Sequence, residues 1–181
     1  KATTGAAEIV RDGMRIESPE DVIAHLEEVE FPRIARAIAT FDEPARCREI
    51  LDKERETQGI LGDDILKAPY GCARFPKLHY GAYGYENYFL AYLVYPEVME
   101  RDFALQADLA ILENRAFVRA VRQGGLPAFI RLDHDMADSR GTLVDVRSLE
   151  RLWFPHFDRS LAPLRDAGMR IDHLLLNERA A

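Results

Sequence analysis

The run from Pro96 to about Gln123 constrains this chain most. Val98, Phe103, Leu105, Leu109, Leu112, Phe117 and Val121 supply one buried side of a long helix. Gly124-Gly125 ends it, because glycine takes the left-handed conformation that closes a helix at little cost. Pro127 to Leu132 then reads as a short apolar strand. A helix this long, turned back at two glycines into a strand, must lay its apolar side against other elements.

The same alternation recurs on both sides. Ile9 to Ile16 holds two apolar pieces around Asp12-Gly13, a dipeptide that favours a hairpin turn. Ser18-Pro19-Glu20-Asp21 opens a helix with a capping hydroxyl, a first-turn proline and acids at the positive helix end. A charged helix over Glu43 to Leu61 stops at Gly62, and Asp64 to Gly71 is a strand candidate. Cys72 to Gly84 reads as a structured loop and Tyr85 to Tyr92 as a helix. After a polar loop from Asp133 to Gly141, Asp145 caps a helix over Val146 to Ala167. Met169-Arg170-Ile171 then leads into a last apolar stretch, Leu174 to Leu176. Strands alternating with long helices imply a parallel sheet, as a (β/α)8 barrel or a doubly wound sheet. A whole barrel takes about 250 residues, more than the 181 here, so the pattern alone favours a small doubly wound sheet in one domain spanning 1–181.

Composition narrows the function classes. The net charge of −7 disfavours binding to a nucleic-acid backbone. No apolar run approaches the roughly 18 residues of a membrane span, and Lys1 to Ala7 lacks the signature of a signal peptide. The first residue is not methionine, which suggests that the natural start lies upstream. Two widely spaced cysteines, Cys47 and Cys72, fit a reducing compartment, so a cytoplasmic location is expected.

Two segments could carry chemistry. Arg131 to Gly141 follows a strand, where such folds gather their catalytic groups. Asp133, His134, Asp135 and Asp138 crowd three carboxylates and an imidazole into six residues. They could exchange protons or ligate a metal; equally, they could cap helices and pair with Arg140 in a solvated loop. The second segment is Tyr80 to Tyr88. Its glycines allow close backbone approach, and Tyr80, Tyr83, Tyr85 and Tyr88 could wall a pocket toward which Glu86 and Asn87 point. The plainer reading is a turn with aromatics packed in the core. His79 adjoins this segment and counts with its substrate-facing residues. His25 lies on a charged helix and is expected to be solvated, and His156 to be structural or exposed. Neither a phosphate-cradling glycine loop nor a Gly-x-Ser-x-Gly elbow is present.

Leu132 to Val144 resembles the strand, loop and capped helix of the uroporphyrinogen decarboxylase superfamily. Leu149, Trp153, Phe154 and Pro155 are similar to that family's aromatic-proline helix, and Ala167 to Ile171 to its passage into the next strand. Gly84 to Phe89 and Pro96 to Met99 resemble the pocket helix and the start of the helix after it. The likeness covers about residues 60 to 171, with fainter agreement from Ser18. It implies a (β/α)8 (TIM) barrel, of which this chain covers part, and it overrides the doubly wound reading.

The resemblance implies a small-molecule enzyme, with methyl transfer between a corrinoid and a thiol or aryl ether favoured over metal-free decarboxylation of a tetrapyrrole or other carboxylate. The arginine-rich N-terminal motif of true decarboxylases is missing. Asp133, His134, Asp138 and Arg140 would form the catalytic end, with Tyr85, Glu86, Asn87 and His79 binding substrate. Zinc and a corrinoid protein are the implied cofactor and partner. His173 stands near an expected zinc ligand, but no cysteine follows, so the ligands stay unassigned. A third reading is a truncated, non-catalytic barrel fragment. Missing strands would leave apolar edges that pair in a homodimer.

Overall fold

The computed structural model describes residues 8–138 and 141–172, without the side chains of Asp138, Ile171 and Asp172. Arg140, His173 and the apolar stretch Leu174 to Leu176 lie outside the described residues. Strands β1 (Val10–Arg11) and β2 (Met14–Arg15) pair antiparallel across the Asp12-Gly13 turn. Both turn residues have positive φ, 49° and 86°, as the sequence pattern requires. Helix α1 (Pro19–His25) starts at a capping box: the Ser18 hydroxyl accepts from the Asp21 N–H, and the Asp21 carboxylate accepts from the Ser18 N–H. A π-helical turn, Leu26–Glu30, carries it into α2 (Phe31–Ala39). Helix α3 (Glu43–Leu61) is capped by Asp42 and ends at Gly62, φ 81°.

Residues 62–79 form no regular element. They lead to α4 (Tyr80–Tyr83), α5 (Tyr85–Val94) and α6 (Pro96–Gly124). Helix α6 has 29 residues, about 43 Å at the standard rise, and stops at Gly125 in the left-handed region. Strand β3 (Phe129–Arg131) follows, then a short hairpin of β4 (Ala137–Asp138) and β5 (Gly141–Thr142). The helix expected over 146–167 is broken at Trp153 into α7 (Val146–Leu152) and α8 (Phe154–Asp166), with Pro155 in the first turn of α8. Proline has no N–H for the preceding turn and favours a fresh start there. Strand β6 (Arg170–Asp172) returns parallel to β3, pairing Phe129 with Arg170 and Ile130 with Ile171.

The barrel expectation is therefore corrected. The described residues are mostly helical, and their strands form three separate two-stranded sheets. Two parallel strands cannot close a barrel. Asp64 to Gly71 is not a strand: Ile65 is 51% and Leu66 85% exposed, so that stretch has no sheet to join. The core lies between helices instead. Helix α6 packs against α8, α3 and α2, burying Met99, Phe103, Phe117 and Val121.

Polar side chains on α6 hold the irregular 62–79 segment in place. Asn114, fully buried, accepts the Arg74 N–H (2.8 Å) and donates to the carbonyls of Arg74 (2.8 Å) and Ser160 (2.7 Å). Gln106 accepts the Lys77 N–H at 2.8 Å, and the Trp153 indole donates to the Pro76 carbonyl at 3.0 Å. Backbone that forms no helix or strand thus has its hydrogen bonds met by side chains. Replacing Asn114 by Ala removes the partner of the Arg74 N–H and of the Arg74 carbonyl, and the second donor to the Ser160 carbonyl, at a cost of about 2–4 kcal/mol. Urea denaturation of Asn114→Ala checks this; a loss under about 1 kcal/mol would contradict the role assigned to Asn114.

Candidate functional site

The two segments singled out in the sequence meet at the C-terminal end of β3. The Leu78 N–H donates to Nε2 of His134 at 2.9 Å. The Tyr80 hydroxyl donates to the Asp135 carbonyl at 2.7 Å, and its ring stacks on His134 at 6.2 Å between centroids. Tyr80 also lies 4.7 Å from the Tyr85 ring and 5.6 Å from Phe89. The result is an aromatic surface, with Tyr85 41% exposed, next to the exposed residues Asp133 and Asp135.

A backbone N–H can only donate, so Nε2 of His134 is an acceptor and the ring proton sits on Nδ1. Burial, reinforced by the positive charge of Lys77, lowers the His134 pKa to about 4, so the ring is neutral at physiological pH. Two cations of this face contact neighbouring side chains. Arg131 reaches Asp133 at 3.0 Å and lies over the Tyr70 ring, while Lys77 lies over Phe75. Tyr70 also donates to Asp133 at 3.0 Å.

Other expected site residues separate. Glu86 is exposed on α5, and Asn87 donates to the Ile16 carbonyl at 3.3 Å, toward the hairpin. Tyr83 and Tyr88 are core residues. His79 lines a different space, a cavity of about 60 Å³ with Arg11, Leu26, Glu30, Tyr83 and Asp102. Organic ligands need roughly 300 Å³ or more, so that cavity takes none.

Beside this cavity lies a polar cluster that sequence reasoning missed. His25, expected to be solvated, is fully buried. Its Nδ1 is 2.9 Å from the Tyr83 hydroxyl and its Nε2 3.0 Å from Asp12. Asp12, His25 and Glu30 place three potential metal-ligand atoms within 4.8 Å of one another. Arg33 occupies the position a cation would take: it reaches Asp12 at 2.8 Å and Glu30 at 3.1 Å, and Arg11 reaches Glu30 at 3.3 Å. Both carboxylates are thus already neutralised, and the cluster reads as a clamp between the β1–β2 hairpin and the helix beneath it. Hydrogen bonds from Arg33 and His25 hold the Asp12 pKa below the ordinary aspartate range.

Asp102, on α6, is 1% exposed and, among the described residues, receives one hydrogen bond, from Gln106 at 2.7 Å. Burial raises its pKa to about 7. No family model, curated protein or solved structure matches the chain. Among the described residues, no helix is long and apolar enough to cross a membrane.

Asp102 carries a pH signature. The folded protein holds its proton to about pH 7, whereas the unfolded chain releases it near pH 4. Stability contributed by the protonated form is therefore whole at acid pH and is lost as pH rises toward 7. Asp102→Asn should remove that dependence, so the variant gains stability over wild type at pH 8 relative to pH 5. Thermal melts at the two pH values check the difference; equal shifts at both would contradict it.

Proposed function

We propose that the chain is a small-molecule enzyme working on the aromatic face at the end of β3, with methyl transfer as its reaction. The reaction class rests on the sequence resemblance to the uroporphyrinogen decarboxylase superfamily alone, whose barrel the described residues do not form. The parallel β3–β6 pair, joined through α7 and α8, supports the location, because chemistry gathers at the C-terminal ends of such strands.

The charge of the face carries the choice between methyl transfer and decarboxylation. A polycarboxylate substrate needs several free cations, and at the described face Arg131 is paired with Asp133 and His134 is neutral, which leaves Lys77 alone, lying over Phe75 with its charge unpaired among the described residues. Exposed Asp135, which makes no ion pair among the described residues, would repel such a substrate. The packed rings of Tyr80, Tyr85 and Phe89 beside the Asp135 carboxylate suit a neutral or cationic methyl donor or a small thiol, since aromatic faces attract cations and apolar groups alike. A corrinoid carried by a separate protein would be the other methyl partner. Zinc is a poorer fit: Nε2 of His134 is already engaged, and among the described residues the one three-donor group is the Arg33-bridged cluster. No step here runs through a metal.

The test is turnover of methylcobalamin with a small thiol such as 2-mercaptoethanol, followed by the change in the cobalamin visible spectrum. Catalysed demethylation is expected, and Tyr80→Ala should lower kcat/KM by about tenfold, the worth of one lost aromatic contact. No acceleration over the uncatalysed reaction, together with carbon dioxide release from uroporphyrinogen, would replace this reading by the decarboxylase one.

A further inference from the structure

A second groove, away from the β3 face, is lined by arginines. An open groove of about 690 Å³ runs between α6 and α8, with Glu43 of α3 at one side. Its volume lies within the range of small-molecule sites. Arg115, Arg119 and Arg122 line it from α6, and Arg159 from α8, against two acids, Glu43 and Asp166. Ile111, Val118 and Pro163 contribute apolar surface along the same groove. A local excess of arginine stands out on a chain whose net charge is −7.

Spacing and pairing shape what could bind. Residues 115, 119 and 122 fall on one helix face, and Arg115 lies two turns, about 10 Å, from Arg122. Arg159 is held by Asp108 at 2.5 Å and by the Ala104 carbonyl at 2.7 Å, while Arg119 faces Glu43 at 3.6 Å. Arg115 and Arg122 are exposed and make no ion pair among the described residues. We infer that the groove between α6 and α8 binds a small organic dianion, with Arg115 and Arg122 each taking one anionic end and the apolar strip of Ile111, Val118 and Pro163 taking the chain between them. Arginine suits this task because its planar fork meets a carboxylate with two parallel hydrogen bonds.

Isothermal titration of the whole chain with decanedioate, decanoate and 1,10-diaminodecane tests the site. Decanedioate should bind more tightly than decanoate, the diamine should not bind, and added salt should weaken binding. Arg115→Gln and Arg122→Gln should each weaken decanedioate about tenfold, as expected for loss of a charge-assisted contact. Arg36→Gln, an exposed arginine on α2, should leave binding unchanged. Circular dichroism of each variant reports its fold, and the salt and ligand series on the unaltered chain stand independently of any variant. No saturable binding of decanedioate up to about 10 mM, or equal binding in all variants, would overturn the site. Decanoate binding as tightly as decanedioate would overturn the two-ended assignment.

Discussion

The three hydrogen bonds of Asn114 are the constraint on which the rest of the molecule depends. They join the middle of α6 to the irregular segment at Arg74 and to α8 at Ser160. Fixing Arg74 fixes the path through Pro76, Lys77 and Leu78, which Trp153 and Gln106 then secure. Leu78 is the residue whose N–H holds His134. The candidate site is thus positioned from the core outward: a buried amide sets a loop, and the loop sets the imidazole. A buried amide with its partners met specifies a unique arrangement, whereas a half-satisfied one is costly.

Two of the five histidines, His25 and His134, sit in contrasting environments. His25 is enclosed between Tyr83 and an Asp12 carboxylate that Arg33 shares, so the network closes on itself. It ties the hairpin to the helices, and the π-helical turn directly after His25 lies within it. His134 is bound on one side by backbone and aromatic rings and stands beside exposed acids. Its low pKa follows from desolvation, reinforced by Lys77 and offset only in part by Asp135. His25 belongs to the scaffold, and His134 borders the exposed face carrying Asp133, Asp135 and Tyr85.

Local features were legible in the sequence because their causes are local. The Asp12-Gly13 turn, the Ser18 cap, the Gly62 stop and the Gly125 end of α6 all depend on a few adjacent residues. The sequence singles out the 131–141 and 80–88 segments, but not that Leu78 and Tyr80 bring them together. The barrel was misread because alternation of helices and strands gives their order, not which strands pair. Apolar residues on α6 that would cover a sheet are covered by α3 and α8 instead. Burial of His25 was hidden because its partners lie 13 and 58 residues away. The arginines lining the groove resemble any solvated helix face until α8 is placed beside them.

The contact between Leu78 and His134 joins the fold to its proposed site, and a trans-hydrogen-bond nitrogen–nitrogen coupling in ¹⁵N-labelled protein measures it directly. The account expects a coupling between the Leu78 amide nitrogen and Nε2 of His134, with the ring neutral and protonated on Nδ1 at pH 6. A ring protonated on Nε2, with no coupling to Leu78, would contradict it and separate the two segments on which the site is built.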